Sequence, residues 1–160
     1  MTKGYKIFLV WVPVLVWMVL IFQLSAQPAK DSNKLSKGVT AHVVETVKEI
    51  KPEFSLDNAN HIIRKNAHSF VYLVLSILVS HALKGSAVLE LKSALLALGI
   101  CILYAASDEV HQVFVSGRGA QVRDVFIDWA GALVGIGIYK VVGELVYLVR
   151  AKRNSVDRLL

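Results

Sequence analysis

Tyr104–Gly135 reads YAASDEVHQVFVSGRGAQVRDVFIDWAGALVG. It sets Asp108, Glu109, His111, Gln112, Arg118, Arg123, Asp124 and Asp128 between two apolar runs. Charges held at a membrane boundary are costly to dehydrate, so an ionisable cluster in such a place marks a functional site by default. The rest of the chain can be read as the scaffold for this stretch.

Working upstream, the purely apolar part of the preceding run covers only 93–106, short of the ~20 residues that a spanning helix needs. The helix must therefore extend to about 88–114, which draws Asp108 and His111 to membrane depth. Downstream, Gly117-Arg118-Gly119 breaks the helix, and 125–149 supplies a further span with Asp128 in its first turn. Gly131 and Gly135 form a GxxxG face, which lets another helix approach closely and offers a route to a homo-oligomer. Lys140 and Glu144, four apart, can pair on the helix surface.

Nearer the N-terminus, residues 7–24 are apolar but for Gln23 and contain Trp11, Pro13 and Trp17. A cleavable signal peptide would begin in the same way, with Lys3 and Lys6 ahead of the run and a small-residue segment at Ser25-Ala26. The length of the run and the further spans favour a retained helix. From Ser25 to Asn66 the composition is polar and reads as an extramembrane loop. Within it, Val39, Val43, Val44, Val47 and Ile50 recur at helical spacing, which predicts an amphipathic helix over 33–51, lying in the headgroup plane or packed as a lid on other loops. Residues 67–84 make another span, with His68 and Tyr72 in its first turns, and Lys84-Gly85-Ser86 a tight reversal.

The expected fold is thus an all-α integral membrane protein. It has four transmembrane helices (7–24, 67–84, 88–114 and 125–149) and an amphipathic helix in the first outer loop, forming one domain over 1–160. A length of 160 residues with 55% apolar content fits one small membrane domain and no large transporter. The net charge of +6 is spread between and after the apolar runs, which suits anionic lipid and argues against nucleic acid, for which a clustered basic face is expected. Cys101 is the single cysteine, so there is no intrachain disulfide and no thiolate metal cage. Lys3 and Lys6 with Arg150, Lys152 and Arg153 place both termini in the cytoplasm, against a counter-vote from the lysines of the first long loop. The first and third loops then face outward together.

In a helix, Tyr104, Asp108, His111 and Gln112 share one face. Asp124, Asp128, Gly131 and Gly135 form a second stripe, and His61, Lys65, His68 and Tyr72 a third. Glu109 points away, towards solvent or Arg118. Packed together, these stripes would form a small outward cleft with three kinds of chemistry open to it. Arg64, Lys65 and Arg118 can hold a phosphate. A His steered by a carboxylate can serve as general base or nucleophile. Two His with one or two Asp can ligate a divalent metal, although no HExxH-type spacing is present. The plainer alternative is structural: ion pairs neutralising each other at the interface, with Gln112 and Tyr72 as hydrogen bonds between helices. His42 and His81 read as surface or interfacial residues.

Lys65-x-x-His68-x-x-x-Tyr72, then Asp108-Glu109-x-His111-Gln112-x-Phe114, then Gly117-Arg118, Asp124 and Gly131 resemble the VanZ-like membrane proteins of bacteria. The resemblance implies a four-span protein of the bacterial cytoplasmic membrane, and the founding member of the family is associated with low-level teicoplanin resistance. Lys65, His68, Tyr72, Asp108, Glu109, His111, Gln112, Arg118, Asp124 and Asp128 match its polar positions. The position of Asp128 is often Asn in that pattern, which favours hydrogen bonding over metal ligation there.

The resulting expectation is a protein of the bacterial membrane whose outward cleft binds, and in one version modifies, an amphiphilic envelope lipid or lipoglycopeptide. Arg64, Lys65 and Arg118 hold the head, with Tyr72, Gln112, Asp124 and Asp128 beside it. Asp108 and His111 are the acid-base pair, oriented by His68 and Asp128, with His68 and Glu109 also counted among the catalytic candidates. Were it an enzyme, it would be an acid-base hydrolase or transferase at the outer interface; no cofactor other than a divalent metal is considered. The competing readings are a non-enzymatic binding or shielding protein and a small proton-linked transporter. The transporter is disfavoured because the lower halves of the spans carry few ionisable groups beyond Lys140 and Glu144.

Overall fold

The computed structural model describes residues 3–30, 32, 34, 56–85 and 90–156. Among them lie four long helices and no strand: α1 (Lys3–Ser25), α2 (Leu56–Gly85), α3 (Glu90–Gln112) and α4 (Val122–Val156). Each contains a stretch long and apolar enough to cross a bilayer, namely Gly4–Ser25, Asn66–Gly85, Leu91–Gln112 and Val122–Asn154. In hydrocarbon every backbone polar group must be satisfied within the protein, which an α-helix achieves internally. Most large apolar side chains of α1 and α4 point outward, among them Phe8, Leu15, Val16, Val142 and Leu148. That outward greasiness would be a defect in water and is the expected surface in lipid.

Helix α2 is the centre of the bundle. It packs on α1, α3 and α4, most extensively on α4, and it is buried on several sides, through Tyr72, Leu75, Ser76, Val79, Ser80, Ala82 and Leu83. Helix α3 turns Ala97, Cys101, Ala105, Asp108 and Gln112 inward, and α1 contributes Val14, Ile21 and Ser25. These spacings of three, four and seven are those of one helical face. Cys101 is a buried packing residue with a free thiol.

The α2–α4 contact depends on missing side chains. A Cβ on Gly131 would overlap the Ser69 carbonyl oxygen, and one on Gly135 the Ser76 hydroxyl and the Leu73 carbonyl oxygen. With no hydrophobic drive between helices in lipid, close van der Waals approach at small residues takes its place. The GxxxG face is therefore covered by α2 of the same chain, and a second copy would have to use another surface. Hydrogen bonds help tie α1 in: Trp17 Nε1–H donates to the Val71 carbonyl at 2.9 Å, and the Tyr104 hydroxyl donates to the Met18 carbonyl at 2.5 Å.

Helix α2 begins at Leu56, well before the expected start of the span at 67. Asn58, Asn60, His61, Arg64 and Lys65 give 56–66 the composition of a loop, but no Gly or Pro interrupts 56–84, so the helix extends past the apolar part into the polar surroundings. The amphipathic helix expected over 33–51 lies outside the described residues. Helix α4 has 35 residues, roughly 52 Å at 1.5 Å per residue, against a hydrocarbon thickness of about 30 Å.

Candidate functional site

Helix α3 stops at Gln112, and three i→i+3 bonds wind the chain out of it: Val113 N–H to Val110, Phe114 N–H to His111 and Val115 N–H to Gln112. Arg118 N–H then closes on the Val115 carbonyl at 3.0 Å. Gly117 takes φ +76°, a left-handed conformation that a residue with a Cβ adopts reluctantly. The turn is held from two sides. Ala29, just beyond α1, donates its N–H to the Ser116 carbonyl at 3.2 Å, and the Gln121 N–H donates to a Glu109 carboxylate oxygen at 2.8 Å. Helix α4 opens directly afterwards, with Asp124 in its first turn.

This arrangement leaves a small cleft of about 110 Å³ at one end of the bundle. His68 comes to it from α2, Gln112 from α3, Arg118 and Gln121 from the turn, and Asp124 and Asp128 from α4, with Ala29 on its wall. Asp128 is only 2% exposed, and its Oδ1 has no hydrogen-bond partner among the described residues. Beneath the lining, Asp108 accepts a 3.2 Å bond from Gln112 Nε2–H at one oxygen, while its other oxygen lacks a partner there. The fully buried Tyr72 hydroxyl is likewise unpartnered, and Asp108 and Asp128 are both among its electrostatic neighbours. Asp128 in turn feels Asp108, Glu109 and Asp124, and Glu109 feels Arg118. Four carboxylates from two helices thus share one end of the bundle, with a guanidinium among them.

Two of the expected groupings look different in space, the helix stripe and the acid-base pair. Of the two directions open to Glu109, solvent and Arg118, it takes the second: it is 6% exposed, accepts from the Gln121 N–H and feels Arg118. The stripe through Tyr104, Asp108, His111 and Gln112 divides. At 100° per residue, His111 falls nearly in line with Tyr104 while Gln112 lies on the far side of Asp108, so the first two turn to α1. Tyr104 bonds to Met18, and His111 stacks on Phe22 with ring centroids 4.3 Å apart and Nδ1 unpartnered among the described residues. His111 accordingly does not line the cleft, and the polar contact of Asp108 is to Gln112. The backbone of α2 carries Arg64 and Lys65 one turn before His68, and their side chains lie outside the described residues.

Sequence reasoning did not single out Gln121, whose backbone anchors the turn, or Ala29, because a backbone donor leaves no mark in residue type. Among the described residues no three of His, Cys, Asp and Glu are grouped closely enough to hold a metal ion. The lining is rich in hydrogen-bond acceptors, with Arg118 and two amides as donors.

No curated protein and no solved structure matches the chain. A family model described as VanZ/LLP1 matches residues 10–143, an interval that takes in the two middle spans whole, most of the first and last, the turn at Gly117 and each described residue of the cleft. The chain is a multi-pass membrane protein and belongs to the VanZ/LLP1 family.

Proposed function

We propose that the cleft binds the head of an amphiphilic cell-envelope molecule, a lipid or a lipoglycopeptide, whose tail stays in the bilayer. The observation that carries this reading is the convergence of His68, Gln112, Arg118, Asp124 and Asp128 from two helices, a turn and a third helix on one cleft at one end of the bundle. The excess of carboxylates over described cations favours a hydroxyl-bearing, glycosylated head over a purely anionic one, since carboxylates accept from hydroxyls and repel phosphate. Arg118 supplies the donor for an acidic substituent.

Proton transfer at a bound head would fall to His68, the imidazole that lines the cleft, with Asp124 and Asp128 on the same walls. Binding without chemistry is the second reading, favoured by the ties of Gln112 to Asp108 and of Gln121 to Glu109, which hold carboxylates as parts of the framework. A proton-linked transporter is disfavoured by the core below the cleft, where Leu75, Val79, Ala97, Cys101, Ala132 and Ile136 offer no relay. We place the protein in the bacterial cytoplasmic membrane, both termini cytoplasmic and the cleft outward, on the strength of Lys3, Lys6, Arg150, Lys152 and Arg153.

The test is extraction and mass spectrometry of envelope lipids from cells with and without the protein, paired with teicoplanin sensitivity. A headgroup that changes with the wild type and not with Arg118→Gln supports modification. Co-purification of an unchanged amphiphile, lost in Arg118→Gln, supports binding alone. If neither the lipid profile nor the co-purifying lipids depend on Arg118, the cleft is not the working site.

A further inference from the structure

Ser80 lies twelve positions along α2 from His68, roughly 18 Å at 1.5 Å per residue, and beside it a second and larger pocket of about 440 Å³ opens between α2, α3 and α4. Its walls include Ser80 and Lys84 from α2, Ser93 from α3, and Lys140, Glu144 and Tyr147 from α4. Ser80 is 3% exposed and its hydroxyl has no hydrogen-bond partner among the described residues. A buried hydroxyl without a partner is a debt that a bound polar group can cancel.

The cations here are placed as well as present. The Lys84 ammonium lies 4.0 Å from the point where a Cβ on Gly143 would stand, so the bare backbone of α4 gives it a seat at the pocket. Among the described residues of the lining, Lys140 is the second cation and Glu144 the one carboxylate, leaving one positive charge in excess. Tyr139 is also on the lining, and its hydroxyl comes within 3.5 Å of His81 Nδ1. Flanking the lining positions, Leu91 and Leu95 on α3 and Val141 and Leu145 on α4 are exposed, an apolar surface for acyl chains beside a polar recess. Tyrosines at this level are the usual neighbours of lipid headgroups.

We infer that this pocket binds the phosphate of an anionic glycerophospholipid from the leaflet opposite the polar cleft. Lys84 and Lys140 face the phosphate, Ser80 donates its hydroxyl to it, and the acyl chains run along α3 and α4. This site is separate from the cleft and does not depend on what the cleft binds.

The full-length protein in a neutral detergent is titrated with phosphatidylglycerol, phosphatidylcholine and inorganic phosphate, following the thermal midpoint and the adducts retained in native mass spectrometry. Phosphatidylglycerol is expected to raise the midpoint and remain bound, at least tenfold more tightly than phosphatidylcholine. The double variant Lys84→Gln/Lys140→Gln, in which both altered side chains are exposed, should lose that preference, and Glu144→Gln should strengthen it. Ser80→Val, which replaces an unpartnered hydroxyl, should weaken retention several-fold while leaving the lipid-free midpoint near that of the wild type. Equal retention of the two lipids, or a double variant that keeps phosphatidylglycerol as the wild type does, overturns the site. Protection by inorganic phosphate as strong as that by phosphatidylglycerol overturns the assignment to lipid.

Discussion

The Glu109 carboxylate accepts the backbone N–H of Gln121 at 2.8 Å, joining the last turn of α3 to the residue just before α4. The turn between them carries Arg118, so this bond sets where the guanidinium can stand. Hydrogen bonds to a charged acceptor contribute about 1.5–3 kcal/mol. Glu109→Ala should therefore speed hydrogen exchange at the Gln121 amide roughly 10- to 100-fold, and Glu109→Gln, which keeps an acceptor oxygen, much less. Unchanged exchange in the alanine variant would show that the turn holds itself.

Gly131→Ala and Gly135→Ala place a methyl group against backbone carbonyls of α2. Overpacking of this kind costs typically 1–3 kcal/mol, and backbone gives way less readily than a flexible side chain, so values at or above the upper end are expected in detergent unfolding. Gly137→Ala meets nothing within 4 Å and is the control, expected to be neutral or to stabilise by up to about 1 kcal/mol. A loss at Gly137 equal to that at Gly131 would remove the close-approach account of the α2–α4 seam.

The two imidazoles near the cleft should separate by function. His111→Phe preserves the stack on Phe22 and is expected to keep both abundance and amphiphile binding. His68→Ala should weaken that binding at least tenfold, about 1.4 kcal/mol, at unchanged abundance. The measurement is retention of the co-purifying amphiphile; the reverse pattern would move the chemistry to the α1 side of α3.

Asp128→Asn changes charge with little change in volume, at a carboxylate whose Oδ1 is buried and unpartnered among the described residues. Replacing this buried acid by a neutral amide should leave the thermal midpoint equal or higher, while binding falls tenfold or more. If binding is untouched, the acceptor at this position is not used.

Tyr104→Phe removes the hydroxyl that bonds to the Met18 carbonyl. Interhelical hydrogen bonds in membranes average about 0.6 kcal/mol, so only a small drop in unfolding free energy is expected, measured by reversible denaturation in micelles. A drop of several kcal/mol would mean that α1 is held chiefly by this bond.

The spans were legible in the sequence because apolar length is a direct demand of the bilayer: 125–149 and 7–24 fall inside α4 and α1. The first turns of α2 were not, because polarity marks the edge of the lipid and says nothing about where a helix ends. Helical spacing put Asp108, Gln112, Asp124 and Asp128 at one level, and the coordinates place them together at one end of the bundle. It could not say that Tyr104 and His111 turn to α1, since a face about 100° wide can meet two neighbours. Gly131 and Gly135 were recognised as a packing face, but only the coordinates name α2 as its occupant. The bond from Gln121 to Glu109 depends on a backbone amide, and side-chain patterns are blind to it.

The last helix is longer than a membrane is thick, and its far end carries Arg150, Lys152 and Arg153 on an unbroken helical axle. A tilt imposed at one rim of the protein is thus transmitted to the other without a joint to absorb it. A probe attached near Lys152 would swing as a pointer, enlarging small rotations at Asp128 into displacements large enough to read by spin-label distance measurements.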